Sequence, residues 1–477
     1  MNVLAIDQGT SATKALLVGP GQEVLGTGEV PVGVRAVGSA GVEADPEQLL
    51  ASVIEAGSRA LAAARAPAHA VALANQGETV LAWDRRTARP LTPAIVWQDR
   101  RSAEVCERLR GSAARLAEIT GLPLDPYFAA PKMIWLRENL TADGVITTTD
   151  TWLLARLGGG YVTDAATASR TMLLDLGAAD WSAEACAIFG LDPAALPQVA
   201  DCAAITGETA AFGPRAVPIA GLAVDQQAAL LAEGCFAAGQ AKCTYGTGAF
   251  LLATTGSQPV HSAAGLSASV AWRLAGTPTY CLDGQVYTAG AALRWLGEIG
   301  LIPGAAELDA LGSSVPDSGG AMFLPALAGL GAPHWRPDAR GAFLGLSLHT
   351  TRAHLVRAVI DGLAASVALL AGSVARDLGG PLTVLRADGG LTRSALLMQA
   401  QADLLQLPVE VCRTPDATAL GVAALARIGM GEAASLAEAV GPADVESVIE
   451  PRIGPAEAAQ RLASFESGLR AILAATQ

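Results

Sequence analysis

Residues 216–256 read AVPIAGLAVDQQAALLAEGCFAAGQAKCTYGTGAFLLATTG. The run from Val217 to Val224 is apolar, short, partly β-branched and bounded by proline and glycine, which predicts a buried strand. Asp225 and two glutamines follow it, and an alanine- and leucine-rich helix comes next. Open α/β sheets usually bind ligands at the carboxyl ends of their strands. The stretch therefore predicts a ligand site beside Asp225.

The same stretch continues into a second strand and the turn Tyr245-Gly-Thr-Gly248. Glycine and threonine in a tight turn let backbone N–H groups approach a phosphate closely. Each signal also has a plainer interpretation, because an Asp after a strand often caps a helix and a Gly-Thr-Gly run often forms only a hairpin turn. Recurrence of the pattern elsewhere in the chain favours the functional interpretation.

The chain opens with the same pattern. A strand predicted over residues 2–6 precedes Asp7-Gln-Gly-Thr-Ser-Ala-Thr-Lys14, and a second apolar strand follows. This predicts a hairpin whose turn carries an acid, a glycine, three hydroxyls and a lysine. Hydroxyl and backbone donors suit phosphate oxygens, whereas an Asp here suits a metal or its water shell. The turn is not a Walker A loop, because the GxxxxGK[ST] spacing is absent.

Two further strand ends carry polar residues. A buried strand predicted over 70–74 ends at Asn75-Gln-Gly-Glu78, and another over 383–387 ends at Asp388-Gly-Gly390. A helix predicted from Arg393 follows the second of these directly. That arrangement points backbone N–H groups and a helix N-terminus at a bound anion.

Length and composition limit the class of protein. A chain of 477 residues is too long for one core, and we expect two domains, 1–235 and 236–477. Apolar residues make up 51% and charged residues 16%, which indicates a well-packed globular chain. The formal charge of −13 argues against a nucleic-acid binder. It does not exclude a phosphate-bearing small ligand, since backbone amides bind phosphate without net positive charge.

Cysteine usage and the N-terminus indicate the compartment. The seven cysteines are scattered, with no CxxC pair, which fits buried thiols in a reducing environment. The opening MNVLAIDQGT has no basic region and is not expected to be a signal peptide. No uninterrupted apolar run is expected to be long enough to cross a bilayer. We therefore expect a cytoplasmic protein with no membrane partner.

Taken together, the motifs beginning at Asp7, Asp225, Tyr245 and Asp388 resemble those of the FGGY carbohydrate kinase family. Within it the chain is most similar to glycerol kinases, over nearly its whole length. The supporting segments are AIVWQDRR (94–101), DPYF (125–128), VTDAATASRTML (162–173), GLGAPHW (329–335) and ARGAFLGLS (339–347).

The resemblance implies an α/β fold of two domains, actin- and hexokinase-like (ribonuclease H-like), with ATP and substrate in the cleft between them. It implies that Asp225 is the base that accepts the substrate hydroxyl proton and that Asp7 helps to place Mg²⁺. It also implies binding residues for the two substrates. For the nucleotide these are Thr10, Ser11, Thr13 and Lys14 from one domain and Thr247, Gly248, Gly290, Arg294, Gly389, Gly390 and Ser394 from the other. For the polyol they are Gln76, Glu78, Trp97, Tyr127, Asp225, Gln226 and Phe250.

One residue departs from the glycerol-kinase pattern. Gly77 stands between Gln76 and Glu78, where glycerol kinases carry an arginine. Glycine removes several N–H donors and is expected to leave a void. Either another residue replaces that arginine, or the substrate is a longer polyol or a ketose.

The leading function is ATP-dependent phosphorylation of a primary hydroxyl on a small polyol or sugar, by an enzyme that we expect to form a homodimer. The alternatives are a pentulose (xylulokinase-like) or tetritol kinase, and a catalytically idle sensor of polyol or nucleotide. An actin- or Hsp70-like ATPase that acts on protein partners shares the implied fold. The small polar pocket around Trp97, Tyr127 and Gln226 disfavours that last class.

Overall fold

The computed structural model describes residues 1–302, 307–413 and 416–475. Its framework is a pair of large sheets. The strands of the first sheet, from edge to edge, are Ile205–Thr209, Val217–Val224, Ala70–Asn75, Val3–Gln8, Ala12–Val18 and Val24–Pro31. Those of the second are Ser267–Leu274, Thr277–Val286, Ala249–Gly256, Gln240–Tyr245, Val384–Asp388, Val409–Cys412 and Val445–Ile449.

The two large sheets repeat one topology. In each, an antiparallel hairpin is extended by a third antiparallel strand, and two parallel strands then continue from the hairpin's first strand. Those first strands are Val3–Gln8, parallel to Ala70–Asn75, and Gln240–Tyr245, parallel to Val384–Asp388. This duplicated order is the ribonuclease H-like arrangement, and it agrees with the predicted two-domain α/β fold.

Smaller sheets surround the framework. One consists of Val145–Thr148, Val80–Asp84, Ala94–Ile95, Gly41–Ala44 and Val34–Val37, with Arg89–Pro90 attached. Two-stranded pairs are formed by Val162–Asp164 with Gln198–Ala200, Leu174–Asp175 with Asp180–Trp181, and Met322–Leu324 with Ala342–Leu344.

Helices cover the faces of the sheets and bury their apolar side chains against them. In the first half they are Pro46–Ala64, Ala103–Arg108, Ala113–Thr120, Ala129–Asn139, Thr149–Leu157, Ala165–Ser169, Ala183–Ile188 and Asp225–Ala232. In the second half they are Gly290–Glu298, Leu308–Gly312, Arg352–Leu378, Ala395–Leu405, Ala417–Gly429, Leu436–Val440 and Pro455–Ala475. Short 3₁₀ turns occur at Arg110–Ser112, Pro193–Ala195 and Gly390–Arg393.

The helix predicted from Arg393 begins later than expected. The structure places a 3₁₀ turn at Gly390–Arg393, and the α-helix starts only at Ala395. Ser394 caps it by accepting a hydrogen bond from the Leu397 N–H. The α-helical N-terminus therefore stands one turn away from Asp388-Gly-Gly390 instead of following it directly.

One helix is long and apolar enough to cross a membrane by length and composition, although Asp361 and Arg376 interrupt its apolar run. Within the described residues, Arg352–Leu378 passes that test. However, 72% of its apolar window is buried inside the protein, where the helix packs beneath the second sheet. Burial against protein explains its apolar character, as in the core helix of any large domain.

One helix of the second half packs on the first sheet. Ala417–Gly429 contributes to the same apolar cluster as the strand Val217–Val224 and the helix Asp225–Ala232. The contact is close, because a Cβ added at Gly421 would lie 1.9 Å from the carbonyl oxygen of Ala228. The division into 1–235 and 236–477 stays a prediction, and the packing of this helix crosses it.

Candidate active site

Three acidic residues follow neighbouring strands of the first sheet. Asp7 lies near the end of Val3–Gln8, and Asp225 comes directly after Val217–Val224. Both strands run parallel to Ala70–Asn75, which lies between them and leads to Glu78. The carboxyl ends of parallel strands meet at one edge, and this topology therefore brings the three carboxylates together.

A small cavity of about 30 Å³ lies beside Asp225. Its lining includes five of the residues predicted to bind polyol, namely Glu78, Tyr127, Asp225, Gln226 and Phe250. They come from distant parts of the chain, and the fold makes them neighbours.

Gln76 and Trp97 lie next to this pocket and contact the residues that support it. The Trp97 ring meets the Tyr127 ring edge-on at 5.7 Å, and its Nε1 donates to the Thr10 hydroxyl at 2.9 Å. Thr10 in turn donates to Oε1 of Gln76 at 2.9 Å. The side chain of Thr10, which the resemblance assigns to phosphate, thus joins the first hairpin to the polyol pocket.

Arg170 is a pocket residue that the sequence prediction missed. Its Nε donates to Oε1 of Glu78 at 2.7 Å, and its Nη1 donates to Oδ1 of Asp283 at 2.5 Å. All three side chains are buried, and Arg170 also lies over the Phe128 ring. The available signal was an arginine within the buried, small-residue run VTDAATASRTML, but its partners are about a hundred residues away in sequence.

The charge environment of the pocket suits a base. Burial raises the pKa of Asp225, while the Gln226 N–H, Lys242 and Arg170 oppose that rise. Burial likewise raises the pKa of Glu78, which Arg170 counters. The backbone of Glu78 also has a φ of 58°, in the left-handed region that residues other than glycine rarely adopt. Such backbone conformations are concentrated at functional sites.

A second acidic group surrounds Asp7. Burial and the negative charges of Asp225 and Asp416 raise the pKa of Asp7 to about 8, and the charge of Lys14 opposes them. Lys14 forms an ion pair with Asp416. Asp416 was also missed, because it does not directly follow the strand Val409–Cys412 as Asp225 follows Val217–Val224.

The glycine turns of the second half approach each other closely. Gly389 has a φ of 93°, and a Cβ there would lie 2.5 Å from the Tyr245 carbonyl oxygen, so that no larger residue fits. A Cβ at Gly248 would lie 2.7 Å from the Val286 carbonyl oxygen. Gly390 has open space beside it, and the Thr247 side chain is exposed at its hairpin tip. Ser11 is similarly exposed on the first hairpin.

One predicted nucleotide contact, Thr13, needs correction, while Ser394 and Gly290 make hydrogen bonds within the protein and stay predictions. Thr13 is fully buried, and its hydroxyl lies 2.6 Å from that of Ser52, which directs it into the core. The Ser394 hydroxyl caps a helix and donates to Asp309. The Gly290 N–H donates to the Gly246 carbonyl oxygen at 3.0 Å. This contact holds the start of the helix Gly290–Glu298 close to the hairpin turn at Gly246. Arg294 is exposed on that helix.

The duplicated α/β fold, the carboxylates at its strand ends and the facing glycine turns define a two-domain kinase of the actin and hexokinase type. The profile of the FGGY family of carbohydrate kinases, N-terminal domain, matches residues 2–232, and that of the C-terminal domain matches residues 241–430. The chain belongs to the FGGY family of carbohydrate kinases and is a phosphotransferase.

Individual proteins agree with this assignment. Glycerol kinase of Myxococcus xanthus (strain DK1622) is 44% identical over 449 residues, which cover 90% of each chain. The structure of Plasmodium falciparum glycerol kinase with ADP superposes with a TM-score of 0.92 at 29% identity, covering 99% of this chain and 98% of that one. A xylulose kinase from Rhodospirillum rubrum gives 0.88 at 25% identity, covering 99% of both.

Proposed function

We propose that this enzyme transfers the γ-phosphoryl group of ATP to a primary hydroxyl of glycerol or a similar short polyol. The observation that carries the proposal is one buried pocket in which Asp225 lies with Glu78, Arg170 and Tyr127. Relatives named glycerol kinase support the substrate class.

Asp225 is the proposed base. Phosphoryl transfer needs mainly positioning and charge screening, and a carboxylate at the attacking hydroxyl is a recurring part of such sites. The raised pKa of Asp225 brings its basicity closer to that of the group it must deprotonate. The proton of the substrate hydroxyl would pass to this carboxylate as the oxygen attacks phosphorus.

Glu78 and Arg170 are proposed to orient the polyol. Glu78 offers carboxylate oxygens to hydroxyl donors, and Arg170 holds that carboxylate in place. Arg170 also lines the pocket, where its guanidinium supplies the cationic N–H donors that Gly77 lacks. Arg170 lies in the segment VTDAATASRTML, which carries the family resemblance, and is therefore proposed as a donor present in addition to residue 77 and not as a substitute for it.

The expected void at Gly77 is not present at its Cβ position. A Cβ there would lie 2.9 Å from Cγ2 of Val224, closer than side chains pack. This crowding leaves no additional space at Gly77 for a longer polyol or ketose. We therefore put glycerol-sized polyols first and keep tetritols and pentuloses as alternatives.

ATP and Mg²⁺ are the proposed nucleotide and metal. Magnesium, when bound, screens the charge that develops on the phosphates. Within residues 1–302, 307–413 and 416–475, no three acidic, histidine or cysteine side chains are grouped to hold a metal by themselves. Asp7 nevertheless fits the ion, since a nearby cation would keep this buried, acid-crowded carboxyl ionised. We propose contact through water, with Ser11, Lys14, Thr247 and the glycines 389 and 390 at the phosphates.

The homodimer and the cytoplasmic location stay predictions. Leu346 and Leu348 are exposed on the loop after the strand Ala342–Leu344 and would be covered in a dimer that uses this face. Sedimentation velocity of the purified chain distinguishes monomer from dimer directly.

The test of function is ADP release with glycerol, tetritols, pentitols, ketopentoses and ketohexoses under the same conditions. We expect the highest kcat/KM with glycerol or another short polyol and a product phosphorylated at a terminal carbon. A higher kcat/KM with a ketopentose would move the assignment to the pentulose kinases. ATP binding without phosphorylation of any member would support the idle sensor.

A further inference from the structure

A pair of buried carboxyl groups lies where the two halves of the chain meet, outside the polyol pocket. Glu233 follows the helix Asp225–Ala232, and Asp388 ends the strand Val384–Asp388. Their relative exposures are 1% and 9%. The two carboxyl groups are close enough to share a hydrogen bond when one of them is protonated.

Three of the four carboxyl oxygens of this pair have no other hydrogen-bond donor among the described residues. Within the described part of the chain, neither carboxyl oxygen of Glu233 nor Oδ1 of Asp388 has a nitrogen or hydroxyl partner. A buried carboxylate without donors is costly, whereas a protonated carboxyl satisfies itself and its neighbour at once. Two ionised carboxylates in contact away from water are strongly disfavoured. The geometry therefore requires one proton on the pair.

The surrounding charges agree with one proton. Lys242 Nζ donates to Oε1 of Gln226 and to the Thr244 hydroxyl, both at 2.7 Å. Arg386 is paired with Glu410 at 2.9 Å. Lys242 and Arg386 are positive and Glu410 is negative, which leaves one net positive charge. A carboxyl pair with one negative charge makes the cluster neutral, whereas a pair with two would make it negative.

The remaining titratable groups near Glu233 are thiols. Burial raises the pKa of Cys235, Cys243 and Cys412, which keeps all three neutral at physiological pH. Burial, and then the charge of Asp388, raises the pKa of Glu233 well above its ordinary value. Glu233 is also the more deeply buried of the two, and among the described residues both of its carboxyl oxygens lack a partner, whereas Asp388 lacks one only at Oδ1. Glu233 is therefore the member that carries the proton.

We propose that Glu233 is a positioning residue whose carboxyl O–H donates to Asp388 and so fixes the nucleotide loop Asp388-Gly-Gly390 relative to the helix that begins with Asp225. This inference rests on the proposed function, because it assigns Asp388-Gly-Gly390 to the nucleotide and Asp225 to the base.

The arrangement makes the link dependent on pH. The proton is held in the folded protein at pH values where a free carboxyl has lost it. Its contribution to stability is therefore full at acidic pH and declines as pH rises toward the pKa of the buried pair. Deprotonation would place two negative charges in contact and displace the loop. Nucleotide affinity is then expected to fall with rising pH.

The test uses ADP titration calorimetry across pH, without any polyol, on the wild type and two variants. Glu233→Gln keeps an N–H donor at every pH, and Glu233→Met keeps the volume but no donor. We expect Glu233→Gln to bind ADP as the wild type does at neutral pH and to lose its alkaline decline. We expect Glu233→Met to bind about 3- to 10-fold more weakly at neutral pH, as one hydrogen bond predicts. The exposed Glu446→Gln is the control, with wild-type behaviour throughout.

Infrared spectroscopy gives an independent signature. Asp7, with a pKa of about 8, contributes a protonated carboxyl band in both proteins, and the spectrum of the wild type minus that of Glu233→Gln at neutral pH should contain one further band of this kind. The proposal is overturned if Glu233→Gln retains the alkaline decline, or if the folded Glu233→Met binds ADP with wild-type affinity. If Glu233→Met does not fold, the pH dependence of ADP affinity and the infrared spectrum of Glu233→Gln still test the proposal. A wild type that binds ADP but phosphorylates no polyol would contradict the proposed function alone.

Discussion

Gly77 lies against Val224, the residue that precedes the proposed base. We expect Gly77→Arg to reduce both stability and turnover, because its Cβ would lie 2.9 Å from Cγ2 of Val224. Overpacking of this kind typically costs about 1–3 kcal/mol of the free energy of unfolding. Thermal melts and kcat/KM with glycerol and erythritol measure the effect.

Two control variants distinguish the steric effect of a Cβ at residue 77 from the effect of the added guanidinium group. Gly77→Ala introduces the Cβ without the guanidinium, and Gly77→Arg with Val224→Ala relieves the crowding. We expect the double variant to recover stability. Recovery of turnover without a change in the glycerol-to-erythritol ratio would agree with Arg170 as the pocket's donor. A Gly77→Arg single variant with unchanged melting temperature would contradict the crowding.

For individual residues, the sequence predicts the polar side chains that directly follow strands. It does not predict hydrogen-bond partners that are far apart in sequence. Asp7, Asp225 and Glu78 follow apolar runs, and that local pattern was sufficient to select them as candidate site residues. Arg170 could not be found in this way, because its role depends on Glu78 and Asp283 at separations of 92 and 113 residues. Thr13 was misassigned because hairpin side chains alternate between faces, and its own points to Ser52.

The helix Asp225–Ala232 carries the base at its first residue and packs against the helix Ala417–Gly429. We expect Gly421→Ala to destabilise the protein and lower kcat, since the new Cβ would lie 1.9 Å from the Ala228 carbonyl oxygen and push this helix away. Urea unfolding and steady-state kinetics measure the two effects.

Gly372→Ala is the matched control, also inside a helix. The nearest atom to its added Cβ is 3.9 Å away, at the end of the Arg376 side chain. Alanine there should be neutral or stabilising by up to about 1 kcal/mol, because glycine is the poorer helix former. Equal effects of the two substitutions would refute the close-packing explanation.

The elements themselves were largely predictable. The strand Val217–Val224 has the bounds that its pattern indicated, because an apolar, partly β-branched run bounded by proline and glycine determines a strand strongly. The start of the helix Ala395–Leu405 was misplaced, although Ser394 is an N-cap residue type that marks a helix start at Ala395.

At the scale of the whole molecule, the two halves each carry part of the proposed phosphate site. Ser11 is exposed on the hairpin of the first sheet, and Thr247 is exposed on that of the second. A kinase must exclude water from the transferred phosphoryl group, which requires the cleft to close on both substrates. We expect small-angle scattering to show a smaller radius of gyration with a non-hydrolysable ATP analogue and glycerol together.

The separate ligands provide the control for closure. The analogue alone and glycerol alone should each give a smaller contraction than the pair. An unchanged radius of gyration under all three conditions would contradict a phosphate site divided between the halves.

The central claim is that Asp225 takes the proton of the attacking hydroxyl. The most direct measurement is kcat of Asp225→Asn with the best polyol, beside the exposed Asp143→Asn as control. Because asparagine keeps the size but cannot accept the proton, we expect kcat to fall by about 10²- to 10⁴-fold, with near wild-type binding of ADP and polyol. Asp143→Asn should retain full activity. Near-normal turnover by a correctly folded Asp225→Asn would contradict the account.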